Sequence, residues 1–338
     1  MTVLVTGGAG YIGSHMVHEL ADAGERVVVL DNMSTGFDWA VAKGVPLVVG
    51  ETGDQALVAR LIREHGVDAI IHFAASIVVP DSVRDPLGYY RNNTMNSRAL
   101  IECAVKSGVR HFIFSSTAAV YGNPTEIPVK EDSATLPISP YGWSKLMTEI
   151  MLRDAGSAYG LHHVILRYFN VAGADPQHRT GQSTKAATHL IKVAVETVLG
   201  MRPKLDVFGD DYPTPDGTCI RDYIHVSDLA HAHLLALEAL GLEKELENSS
   251  RLIYNLGNGQ GFSVREVVEV ARTVTGHPVP AIESPRRAGD PAVLIASSEK
   301  IRRELGWQPR FPDLKAIVES AWQWHRIHPD GYPDSLSD

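Results

Sequence analysis

Short apolar runs, many of them β-branched, alternate with longer amphipathic stretches through the first half of the chain. TVLVT, RVVVL, PLVVG, DAIIHFAA, RHFIFSS and HHVILRYF have apolar interiors without an inside/outside alternation, the pattern of strands buried on both faces. Between them, YIGSHMVHELADAG and DQALVARLIREHG keep a helical period and end at Gly24 and Gly66, residues suited to a left-handed C-cap. Strand and helix in regular alternation predict an α/β fold of the Rossmann type: a doubly wound parallel sheet with right-handed crossovers.

Past residue 171 the rhythm breaks. Loops such as FGDDYPTPDGT and ESPRRAGDP are rich in Pro, Gly and Asp, while ATHLIKVAVETVLG, SDLAHAHLLALEALG, SVREVVEVARTVTG and LKAIVESAWQWHR keep the helical period. The expected organisation is a dinucleotide-binding domain over 1–171 and a smaller α/β lobe over 172–338. That lobe would close over the carboxyl edge of the sheet, where ligands of open α/β sheets bind.

Composition narrows the possibilities. Of 338 residues, 44% are hydrophobic and 21% charged, as in an ordinary globular protein. A formal net charge of −9 argues against nucleic acid as a partner. Cys103 and Cys219 are far apart and have no metal-type spacing, which favours a reducing, cytoplasmic setting. MTVLVTGG lacks a signal-peptide pattern, and no apolar run reaches the about 18 residues of a membrane span.

Three stretches carry candidate chemistry. TVLVTGGAGYIGSH sets Gly7, Gly10 and Gly13 between a strand and a helix, where a pyrophosphate can approach the helix N-terminus. A plain strand–turn–helix corner has the same glycines, but Asp31 at the end of VVVLD adds a carboxylate for ribose hydroxyls and favours NAD over NADP. SPYGWSKLMTE begins a helix, with Ser139 as N-cap and Pro140 at its first position; Tyr141 and Lys145 then share one face. A phenol titrates at about 10, so an adjacent ammonium is expected to lower that value and make Tyr141 an acid/base. FSSTAAVYG supplies Ser115, Ser116 and Thr117, the last placed to orient an alcohol, followed by the chemically silent Ala118 and Ala119.

Together TGGAGYIG, Asp31, FSSTAAVYG and SPYGWSK resemble the extended short-chain dehydrogenase/reductase superfamily. LRYFNVAGADP, FGDDYPTPDGTCIRDYIHVSDLA, YNLGNGQGFSV and PRRAGDP resemble its UDP-glucose (UDP-galactose) 4-epimerase family over essentially the whole chain. The resemblance implies NAD held by Gly7, Gly10, Tyr11, Ile12, Gly13, Asp31, Asn32, Glu51, Phe73, Ala74, Asn92, Ser115, Tyr141, Lys145 and Tyr168. It implies a UDP-sugar held by Thr117, Asn170, His189, Leu190, Phe208, Arg221, Tyr223, Arg287, Asp290 and Leu294, with Tyr141, Lys145 and Thr117 catalytic. Within that set Phe208 would pack near the uracil, Arg221 and Arg287 bind the diphosphate, Asp290 the uridine ribose, and Leu294 gauge sugar size. Glu51, Ile77 and His189 depart from residues common in the family.

Relatives that dehydrate or decarboxylate a nucleotide sugar carry acidic groups directly after the threonine. Ala118 and Ala119 therefore favour epimerisation, with UDP-N-acetylhexosamine or UDP-pentose epimerisation as alternatives and a 4,6-dehydratase disfavoured. His225, Asp228, His231 and His233 have the residue types of a metal site, but Ser227 before an apolar helical run reads better as helix-start chemistry, so no metal is expected. Trp322, Trp324 and His325 fit packing on a last helix. The helical stretches around DPLGYYRNNTMNSRALIECAVKSG and SKLMTEIMLRDA suggest a homodimer interface.

Overall fold

Val3 and Val5 face one side of the first strand and Leu4 the other, and each side meets its own layer of helices. The computed structural model describes residues 1–185, 187–241, 252–287 and 290–332. Its first half runs β1 (Thr2–Thr6), α1 (Tyr11–Asp22), β2 (Arg26–Asp31), β3 (Leu47–Val49), α2 (Gln55–His65) and β4 (Ala69–His72). There follow α3 (Val79–Arg84), α4 (Pro86–Tyr89), α5 (Asn96–Lys106), β5 (His111–Thr117), α6 (Pro140–Tyr159), β6 (His162–Tyr168) and β7 (Asn170–Ala172). The second half contributes α7 (Leu190–Val198), β8 (Leu205–Phe208), β9 (Ile220–His225), α8 (Val226–Gly241) and β10 (Leu252–Leu256). It ends with β11 (Gly261–Ser263), α9 (Val264–Thr275), β12 (Ala281–Ser284), β13 (Val293–Leu294), α10 (Glu299–Leu305) and α11 (Leu314–Ile327).

Seven parallel strands form the main sheet in the order β3-β2-β1-β4-β5-β6-β10. The six apolar runs singled out above account for six of them. Val27 and Val29, Ile71, Ile113, Val164 and Leu166 pack under α1 and α8. Val28 and Leu30, Ile70, Phe112 and Phe114, and Ile165 pack under α2, α5 and α6. Both faces are covered, which is why these strands lack a polar alternation.

The seventh strand comes from beyond residue 172. β10 pairs with β6, and α8 covers the sheet beside α1, so the chain returns to the first unit after building β7 to β9. The smaller unit joins β7, β9, β11 and β13 in one sheet, pairs β8 with β12, and packs them with α7, α9 and α11. Ser263 caps α9 reciprocally with Glu266, as the SVREVVEV pattern allows. Ser227 is not an N-cap: α8 begins at Val226, and the Ser227 N–H donates to His225 Nδ1 at 3.1 Å. Among the described residues no helix is long and apolar enough to cross a membrane.

Candidate active site

The strand order reverses between β1 and β4, and a cleft of about 670 Å³ opens at the carboxyl ends of the strands there. At one end the glycine loop leaves β1. Gly7 lies at φ +73°, and a Cβ there would stand 2.7 Å from the backbone N of Ala74; one on Gly13 would stand 2.1 Å from Gly7 O. Only bare backbone fits this cradle at the start of α1, the arrangement a pyrophosphate needs. Asp31, at the end of β2, accepts the Ala9 N–H at 3.0 Å and the Met33 N–H at 2.9 Å. The carboxylate keeps lone-pair capacity for a ribose hydroxyl. Asn32 donates to Glu51 Oε1 at 3.2 Å, so the longer carboxylate of this chain is held at the same end of the cleft. The residues present therefore fit a dinucleotide.

At the other end, Ser139 accepts the Gly142 N–H at 3.2 Å and starts α6 at Pro140, as expected. The helix sets Tyr141 and Lys145 on the cleft wall with Thr117, whose hydroxyl accepts the Ala119 N–H at 3.2 Å and lies near enough to the Tyr141 phenol to favour its ionised form. Lys145 Nζ donates to the Ser115 carbonyl at 2.8 Å and lies 4.9 Å over the Phe114 ring. The ammonium does not lower the phenol in the free protein, contrary to expectation. Burial pushes Tyr141 up to about 12, offset only in part by the Thr117 hydroxyl. Lys145 is itself pulled down to about 7 by burial, against the raising influence of Glu149. Removing water disfavours both charged forms.

Beneath these groups runs a buried network that the motifs did not reveal. Arg167 donates to Glu149 Oε1 at 3.0 Å and Oε2 at 2.6 Å, and to the Tyr121 hydroxyl at 2.9 Å. Ser116 also donates to Glu149, and Tyr121 donates to Asn255 Oδ1 at 2.7 Å. Glu149 lies one turn beyond Lys145, so its i,i+4 spacing was available as a signal; its partners come from strands far along the chain. A second unforeseen device is a π-helical turn over Tyr90–Met95. Asn93 there is buried and accepts the Ser76 N–H at 2.8 Å while donating to Ser144 Oγ at 3.0 Å; Asn92 donates to Ser76 Oγ at 2.9 Å. These bonds pin the 74–78 wall of the cleft to α6.

The cleft is lined by every residue the resemblance assigns to NAD, including Tyr11, Ile12, Phe73, Ala74 and Tyr168. Asn170, His189, Arg221, Asp290 and Leu294 line its sugar-nucleotide side, as do Ala118, Ala119 and Ile77. Arg221 and Asp290 stand 3.7 Å apart. His189 meets Gln182 at 2.8 Å, and burial pulls it down to about 4, so it is neutral. Four assigned residues do not line the cleft. Leu190 and Tyr223 pack in the core of the smaller unit, and the Arg287 guanidinium covers the Phe208 ring at 3.7 Å. Gln182, Thr184 and Lys185 line it without having been foreseen; they belong to a loop with no periodic signal.

The candidate metal cluster is dispersed. His225 meets Ser320 at 3.0 Å, His231 meets Glu19 at 3.1 Å, and His233 donates to Leu229 O at 2.9 Å. Asp228 accepts the N–H groups of Arg310 and Phe311 at 2.8 and 2.9 Å, fixing the turn before α11.

A cleft with bare backbone for a pyrophosphate at one end and a half-buried phenol with a buried lysine and threonine at the other suits hydride exchange between a dinucleotide and an alcohol, the work of the short-chain dehydrogenases/reductases. The chain belongs to the NAD dependent epimerase/dehydratase family, whose model matches residues 3–257. It is 58% identical to a UDP-glucose 4-epimerase of Azospirillum brasilense over 96% of this chain and 92% of that one. Among solved structures it is similar to UDP-glucose 4-epimerase from Brucella ovis in complex with NAD, with TM-score 0.90 and 45% identity over 95% and 97% of the two chains. It is similar also to that from Bifidobacterium longum in complex with NAD+ and UDP, with TM-score 0.92 and 37% identity over 98% and 100%.

Proposed function

We propose that this chain interconverts UDP-glucose and UDP-galactose by reversible oxidation at C4. The observation that carries this is that Tyr141, Lys145 and Thr117 share the cleft wall and that the residues following Thr117 there, Ala118 and Ala119, carry no acid or base. NAD, when bound, supplies a carbon that accepts hydride and later returns it. Thr117 orients the C4 hydroxyl, and Tyr141 takes its proton at the phenolic oxygen and gives it back. Lys145, fixed on the Ser115 carbonyl, supplies the cation that supports the phenolate. Without an acid or base after Thr117, the oxidised sugar has no route to elimination and is reduced again, from either face. Asn170, His189, Arg221, Asp290 and Leu294 hold the sugar nucleotide; once the Arg287–Phe208 stack opens, Phe208 joins them at the uracil and Arg287 at the diphosphate. Incubating purified protein with UDP-galactose and no added nucleotide tests this: UDP-glucose should accumulate to an equilibrium mixture, and a 4-keto-6-deoxy product would refute it.

We propose further that the protein forms a homodimer through the face carried by α6. Trp143, Met147 and Ile150 recur on one exposed face of α6, and Val83, Leu87 and Met95 are exposed on the elements packed against it. Sedimentation should give twice the chain mass; Met147→Glu should give monomers. Buried free thiols at Cys103 and Cys219 accord with a cytoplasmic enzyme.

A further inference from the structure

The catalytic cycle requires that the dinucleotide stay bound between the two hydride transfers, yet the glycine loop and Asp31 by themselves describe an open site. The other side of the loop is held by residues that the cleft chemistry does not use. Gly181 lies so flat on Trp324 that a Cβ would stand 2.3 Å from the indole ring. Gly331, at φ +73°, lies so close to Ser183 that a Cβ would meet its Oγ at 2.6 Å. The next residue, Tyr332, is buried; its N–H donates to Ser183 Oγ at 3.0 Å.

From Tyr332 a directed chain of hydrogen bonds reaches α1. The Gly181 N–H donates to the Tyr332 hydroxyl at 3.2 Å, and that hydroxyl donates to Thr180 Oγ1 at 2.9 Å. Thr180 meets Ser14 Oγ at 2.8 Å, and Ser14 donates to the Tyr11 carbonyl at 3.0 Å. Since Ser14 spends its proton on Tyr11, Thr180 must be the donor to Ser14, and every hydroxyl in the row is used once as donor and once as acceptor. Tyr11 and Gly13, in the first turn of α1, line the cleft. The ring of Tyr332 meanwhile packs 5.5 Å from that of Phe37, whose N–H donates to Ala9 O in the glycine loop at 2.9 Å. The same turn thus braces three parts of the dinucleotide end: the start of α1, the loop after Asp31, and the 180–185 segment that lines the cleft.

We propose that Tyr332 is a positioning residue for cofactor retention, a latch that holds the phosphate loop closed from behind through Thr180 and Ser14. It touches neither cofactor nor substrate, so its loss is felt in how long NAD stays and not in the chemistry of the loaded enzyme.

Tyr332→Phe removes the hydroxyl and keeps the ring; Thr180→Val breaks the same row at its middle. The holoenzymes are compared by the exchange of bound NAD with added radiolabelled NAD. Either change should speed exchange by about tenfold, the effect of one buried hydrogen bond. The double variant should exchange no faster than the quicker single one, because both break one chain. Activity at saturating NAD should stay within about twofold of the parent, as expected when only uniform binding is lost. Tyr254→Phe is the control: its hydroxyl donates to Glu304 at 3.1 Å, away from the loop, and exchange should not change. Parental exchange rates in both single variants would overturn the proposal. So would equal acceleration by Tyr254→Phe, since retention would then follow general stability. If Tyr332→Phe does not purify, Thr180→Val against Tyr254→Phe decides alone.

Discussion

Glu149→Gln perturbs the support of the reacting groups without touching them. Glu149 takes two bonds from Arg167 and one from Ser116, and both charged side chains are almost wholly buried, at 2% and 5% exposure. Removing one partner of such a pair leaves a buried charge uncompensated, at about 3–5 kcal/mol. The glutamine oxygen still accepts one guanidinium bond, so the low end, about 3 kcal/mol, is expected. Urea unfolding followed by tryptophan fluorescence, with NAD saturating in both proteins, measures it; Trp307 and Trp324 are buried reporters. The same change removes the charge that raises Lys145 toward its ordinary range, so the lysine should titrate below its present value of about 7. The ammonium is the active form, and the alkaline limb of kcat should therefore move to lower pH. An unchanged urea midpoint together with an unmoved limb would refute the assignment of Glu149 as support for both Arg167 and Lys145.

Tyr141→Phe keeps the ring and removes the proton carrier; turnover should fall by about 10²–10⁴-fold, while NAD released by acid from the purified protein stays at parental stoichiometry. Asp31→Asn should weaken NAD binding by about 1–2 kcal/mol and narrow the preference over NADP, read by titration calorimetry on NAD-free protein. Lys145 lies near 7 folded against 10.5 unfolded, so between those values the unfolded chain binds the extra proton and stability rises with pH. Lys145→Met should flatten that rise in urea titrations of NAD-free protein; an equal rise in the variant would assign it to another group.

The sheet was legible where burial on both faces forces unbroken apolar runs, as at RVVVL and HHVILRYF. β10 was not, because LIYNL joins β6 only after the smaller unit has been built, and no local pattern encodes that return. The glycine loop, Asp31 and the helix carrying Tyr141 were legible because each depends on adjacent residues: bare backbone, a strand end, an N-cap. Asn93 was not, since a π-helical turn has the composition of the α-helix around it. Leu190 and Tyr223 show the converse limit: a motif names a residue, but packing between α7, α9 and β9 decides whether it faces ligand or core. Spacing alone does not give the ionisation of Tyr141, because the cost of desolvation depends on burial that the sequence does not display.

The central claim is that hydrogen leaves C4 and returns to it without entering water. UDP-galactose deuterated at C4, converted by the purified enzyme with no added nucleotide, tests this by mass spectrometry and proton NMR. The UDP-glucose formed should keep its deuterium at C4. Loss of the label to solvent, or a need for added nucleotide at every turnover, would contradict it.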